Sequence, residues 1–67
     1  MSNEPVSPGD IYMFYDTFSE RSNYYIILWK HETMPDAWDM MEIGRPDLKH
    51  WERGSILTDT KYYLKVA

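Results

Sequence analysis

The sequence contains no cysteine. That absence excludes disulfides, thiolate nucleophiles and cysteine-based zinc or iron–sulfur centres together, and it fits a reducing compartment. Histidine is scarce as well. His31 and His50 are the only two, and a zinc site needs at least three convergent ligands, so no metal is expected. Glycine occurs only at Gly9, Gly44 and Gly54, which leaves no phosphate-cradling loop and no Gly-x-Ser-x-Gly elbow. The longest apolar run, Tyr24 to Trp29, is six residues and is too short to span a bilayer. Met1 to Asp10 is polar and acidic, without the basic and then apolar segments of a secretory signal. Positive charge is the minority sign: Lys+Arg 7 against Asp+Glu 11 gives net −4. That balance disfavours phosphate-rich partners, which are held mainly by Lys and Arg. The expectation is a cytoplasmic protein with no membrane contact, no cofactor and no catalytic role, for which nucleic acid is an unfavoured partner.

With 67 residues the chain has room for one core. A domain of this size depends on dense packing or on a partner subunit. Aromatic residues make up 16% of it, and each large ring can bury about 150–250 Å². Residues 1–7 offer little to bury and read as a loose tail; residues 8–67 read as a single domain. Pro8-Gly9-Asp10 signals a turn. Short strands rich in β-branched and aromatic residues follow at Ile11–Tyr15, Tyr24–Lys30 and Trp38–Ile43. Polar loops separate them, the second built on Met34-Pro35-Asp36. Two readings fit the next segment. Gly44-Arg45-Pro46-Asp47 is a tight turn into a fourth strand, Leu48–Arg53, or else Pro46 starts a short helix that Gly54 ends. The strand is favoured because its neighbours are all short strands. Ser55–Thr60 is a connecting turn, and Lys61–Val66 alternates cleanly as a fifth strand.

Five short strands with loops of this length predict an all-β fold: a small five-stranded antiparallel barrel with at most one short helical turn. The order over residues 8–67 resembles the SH3-like barrel: a Pro-Gly-Asp lead-in, a long loop, two apolar strands, a tight turn, a fourth strand, a short helical turn and a last strand beside the first. It is a resemblance of fold. Met13-Phe14-Tyr15-Asp16 stands where signalling SH3 domains carry their acidic-aromatic motif and does not match it, so proline-peptide binding is not implied. In size and in lacking a known motif, the chain is similar to the short proteins that bacteriophages encode to bind host proteins.

Alternation separates two faces on each strand. Met13, Ile27, Met41, Ile43, Leu64 and Val66 are assigned to the core as the apolar residues in phase with the buried side. Tyr12 and Phe14 then fall opposite Met13, and Tyr63 falls opposite Leu64. If the first and last strands are neighbours, Tyr12, Phe14 and Tyr63 form an exposed aromatic patch edged by Lys61 and Lys65. Trp51 alternates with Lys49 and Arg53 as a second, aromatic-basic strip. Exposed apolar patches commonly mark interfaces, and Tyr, Trp and Arg are favoured anchors there. The expected function is therefore a non-catalytic protein-binding module, of the kind a phage-type inhibitor or adaptor of a host protein would be. Its binding residues are Tyr12, Phe14, Tyr63, Trp51, Lys49 and Arg53, with a homodimer contact as the other occupant of the patch. Two alternatives stand beside it. One is a nucleic-acid-binding barrel using the basic-aromatic strips of residues 45–65, where three acids and five bases lie. The other is an acidic mimic occupying a nucleic-acid-binding site, after the eight acids and two bases of residues 1–44.

Overall fold

The computed structural model describes residues 6–67. Five strands and one helical turn follow in chain order: β1 (Ile11–Asp16), β2 (Arg21–Lys30), β3 (Ala37–Glu42), β4 (Arg45–Arg53), α1 (Gly54–Leu57) and β5 (Tyr63–Lys65). They form one antiparallel sheet in the order β4-β3-β2-β1-β5. The fold is all-β, as the strand pattern predicts, and β5 lies beside β1, as the SH3-like order requires. A β4–β5 ladder, which would close a barrel, is not among the pairings of the described residues.

The chain's own chemistry explains how the sheet bends. β2 is ten residues long; Arg21–Ile26 pair with β1, and Tyr25–Lys30 with β3. Between the pairs Ile27↔Met40 and Trp29↔Asp39 the register slips by one residue, leaving Leu28 as an extra residue on β2. Such a bulge bends and twists a strand, so β2 can serve two differently oriented halves. The β3–β4 hairpin turns at Ile43-Gly44, where Gly44 has φ +96°, a conformation glycine adopts without steric cost. The register then jumps from Glu42↔Arg45 to Met41↔Lys49. Pro46 falls within that irregularity and on the outermost strand, which suits a residue with no N–H to give to a ladder. The strand reading of this segment holds, with β4 starting at Arg45 inside the expected turn and not at Leu48, and the helical turn starts at Gly54 instead of ending there.

Gly54 is fixed by what lies next to it. Its N–H donates to the Asp36 carbonyl at 2.7 Å, and the Ser55 N–H donates to Asp36 Oδ2 at 3.3 Å. A Cβ on Gly54 would lie 2.7 Å from Asp36 Oδ1, closer than atoms tolerate. Gly54→Ala should therefore cost up to about 1 kcal/mol, the loss of the Ser55 contact as the exposed Asp36 carboxylate is displaced, less the gain from a stiffer unfolded chain. Urea denaturation measures this; a variant as stable as wild type would mean that Asp36 swings aside freely.

The core lies on one side of the sheet. Val6, Tyr12, Tyr25, Ile27, Met40, Leu57 and Tyr63 form a buried cluster, with Phe14, Trp38 and Ile56 packed against it. Three expectations change here. First, Val6 is buried although its segment reads as tail; residues 1–5 of that tail lie outside the described residues. Second, of the six residues assigned to the core, Ile27 is buried, Met13 and Met41 are partly buried, and Ile43, Leu64 and Val66 are exposed. Third, Tyr12 and Tyr63 point inward. The alternation is as predicted on β1 and β5, but the opposite face is the buried one. The aromatic rings win the interior because they supply the most area for a thin, one-layer core.

Candidate interaction surface

Of the six residues expected to bind a partner, three are not on a free surface. Tyr12 is 2% exposed and Tyr63 is 7% exposed. Their rings meet edge to face at 6.5 Å between centroids, and Phe14, partly buried, lies 5.2 Å from the Tyr63 ring. The aromatic patch expected on β1 and β5 is thus the inside of the sheet. Tyr63 also reaches across the interior: its ring is 6.3 Å from that of Tyr25, and its hydroxyl donates to Glu52 Oε2 on β4 at 3.4 Å. Burial first, then the Glu52 carboxylate and Tyr25, hold the Tyr63 phenol well above the ordinary tyrosine value of 10.0. The flanking Lys65 does not edge a patch either; its Nζ lies 3.7 Å from Asp10 Oδ2.

The other three residues do share one face. Lys49, Trp51 and Arg53 are exposed at alternate positions of β4. Trp51 pairs across the ladder with Asp39, and Asp39 with Trp29. The Trp29 indole N–H donates to Asp39 Oδ2 at 2.9 Å, and the His31 ring stands 5.6 Å from Trp51. Both indoles are about half exposed.

What the residue pattern alone did not identify is the rest of this outer face. Directly paired residues project to the same side of a sheet. One row crosses three strands as Leu64–Met13–Tyr24, and Ile43 joins its end by donating its N–H to the Tyr24 carbonyl at 2.8 Å. The next row crosses four strands as Ile11–Ile26–Met41–Lys49. Leu64 and Ile43 are each 50% exposed and Tyr24 is 43% exposed; Ile11, Met13, Ile26 and Met41 shield one another in part. The two rows carry seven apolar residues and one terminal lysine. An antiparallel sheet with one face in water ordinarily alternates apolar-in with polar-out; here both faces are apolar. The signal was present in the sequence, as the apolar stretch Tyr24–Trp29 on both faces of β2, but it does not say which face turns inward.

Phe18 is a separate feature. It is 99% exposed at the tip of the β1–β2 hairpin. Asp16 fixes that turn: its carboxylate accepts the Ser19 hydroxyl and the Phe18 N–H, both at 2.9 Å. These bonds hold the Asp16 carboxyl below the usual aspartate range.

Other places where chemistry could occur are modest. A depression of about 200 Å³ beside β5 is lined by Tyr12, Leu57, Thr58, Thr60, Tyr63, Leu64 and Lys65. Small-molecule sites generally run from about 300 Å³ upward. On the inner side His50 Nε2 lies 3.9 Å from Glu42 Oε1 and makes no hydrogen bond. No group of three or more His, Asp or Glu side chains converges as metal ligands among the described residues, and no helix among them is long and apolar enough to cross a membrane. No protein-family model, curated protein or solved structure matches the chain.

Proposed function

We propose that this domain is a non-catalytic protein-binding module and that it docks through the outer face of its sheet. The observation that carries the reading is the pair of apolar rows, Leu64–Met13–Tyr24 and Ile11–Ile26–Met41, laid side by side over β5, β1, β2 and β3. The largest contiguous apolar patch on a small domain is often its interaction site. Trp29 and Trp51 flank the rows with half-exposed rings, residues of the type that anchor interfaces. Inhibitor, adaptor and assembly subunit are all roles such a module can fill. The bases support nucleic-acid binding less well. Lys49 and Arg53 stand on the outer face of β4, whereas Lys65 pairs with the inward Tyr12 on the other face and is occupied with Asp10.

The test compares tagged wild type with Met13→Lys, each co-expressed with untagged chain in the native host. Met13 is at the centre of the first row, and a lysine stem can follow the methionine's path while its ammonium reaches water. Phe18→Ser serves as a control away from the face; at a fully exposed tip it should leave stability within about 0.5 kcal/mol. The expected result is a protein, the untagged chain included, that wild type and Phe18→Ser retain and a folded Met13→Lys loses. An identical retained set for all three baits would overturn the reading.

A further inference from the structure

We infer that the outer face of the sheet takes a second copy of this chain, packed face to face about a two-fold axis. The inference rests on the docking reading above and names its occupant. The domain's division of apolar residues comes first. Ten large apolar residues are exposed among the described residues, and three of them, Tyr24, Ile43 and Leu64, stand in the two rows, with Trp29 and Trp51 beside them. The core of a chain this short supplies only about 3–5 kcal/mol, and a second sheet laid on the first adds an apolar layer to it.

Charge points the same way. The apolar rows hold no carboxylate and carry one charge, Lys49 at the β4 end, far from their centre at Met13 and Ile26; Asp39 lies beyond the rows toward the Trp29 end. Two copies of a net −4 chain can therefore meet here without setting like charges against each other. A charged partner would find a single base, Lys49, and only at the end of one row. A two-fold contact requires the patch to complement itself, and a surface of Met, Ile, Leu and Tyr does so with Met13, Tyr24 and Ile26 near the axis.

Area is sufficient. A stable interface takes about 800 Å² from each partner, about one-sixth of the 4986 Å² surface of this chain. The molecule measures 33 × 30 × 19 Å, so a broad face offers that area. Pairing edge to edge is the less favourable route. β5 has only three residues, and β4 is interrupted around Pro46; short, proline-broken edges resist strand addition. Two sheets stacked face to face pack about 10 Å apart with strands within about 30° of each other, which lets the two sets of rows interdigitate.

Sedimentation equilibrium on the purified full chain, alone, at about 5 to 500 µM spans the affinities expected of a modest interface. The expected result is a monomer–dimer equilibrium with Kd below about 50 µM that is unchanged or tighter in high salt, because apolar burial drives it. Leu64→Lys and Met13→Lys, each checked for a native circular dichroism spectrum, should weaken it at least about 30-fold. Leu64 is half exposed, so that variant keeps the test valid if Met13→Lys does not fold. A wild type that stays monomeric at every concentration overturns the inference, as does a dimer that both folded variants preserve. If the protein is monomeric and yet Met13→Lys loses a retained protein in the host, the docking face stands and its occupant is a different protein. If neither effect occurs, both readings fall.

Discussion

Tyr63→Ala should leave the domain largely unfolded at room temperature, and Tyr63→Phe should leave it folded. Tyr63 is the ring that ties the sheet's ends together. It meets Tyr12 and Phe14 on β1, Tyr25 on β2 and, through its hydroxyl, Glu52 on β4. β5 itself contributes only three residues of ladder, so its docking depends on this side chain more than on backbone bonds. Truncating a buried aromatic costs about 3–5 kcal/mol, and a small domain has a total of about 5 kcal/mol to lose. Removing the hydroxyl alone forfeits one hydrogen bond, long at 3.4 Å, worth about 0.5–1.5 kcal/mol. Urea denaturation followed by circular dichroism separates the two variants. A Tyr63→Ala protein within about 1 kcal/mol of wild type would mean that the ring is peripheral and that Leu57 and Ile27 hold the core without it.

The same side chain shows how far the sequence can be read. Its alternation with Leu64 was legible, and so were the strands, the turns at Gly9 and Gly44, and the neighbouring of β1 and β5. Which side of the alternation is buried was not. Hydropathy ranks Leu64, Val66, Met13 and Met41 above Tyr12 and Tyr63, and that ranking selects the wrong face when both faces are apolar. Two facts from outside the strands decide it. Leu57, in a segment with no period to follow, is 1% exposed and fills the inner side. Val6, in what reads as a tail, joins it there. Tyrosine also suits a thin interior whose rim is polar: the ring packs inside while the oxygen reaches Glu52. The error on faces carried over to the site. Residues taken for core stand on the outer face, Tyr12 and Tyr63 taken for that face are buried, and Lys49, Trp51 and Arg53 are exposed as read because β4 has few apolar residues on either side.

Alkali should unfold the domain through these buried phenols. Burial, Glu52 and Tyr25 raise the Tyr63 pKa, and burial followed by Glu42 and Asp16 raises that of Tyr25, both from 10.0. In the unfolded chain both phenols ionise near pH 10. Below that pH neither state has lost the protons and the tyrosines make stability no function of pH. Above it the unfolded chain gives up protons that the folded one keeps, so unfolding releases protons and stability falls as pH rises until the folded-state values are reached. The slope is at most about 1.4 kcal/mol per pH unit for each tyrosine. A rise from pH 10 to 11.5 should remove about 1.5 kcal/mol through Tyr63, with Tyr25 adding in the same direction, a large share of the stability of a domain this small. Urea midpoints at pH 9, 10, 10.5, 11 and 11.5 measure the effect. In Tyr63→Phe the remaining slope should be about half of the wild-type slope or less, because the more strongly shifted group is gone. A wild-type midpoint that stays level from pH 10 to 11.5, or a Tyr63→Phe slope equal to wild type, would show that Tyr63 ionises in the fold as readily as in the open chain and that its hydroxyl is not enclosed beside Glu52.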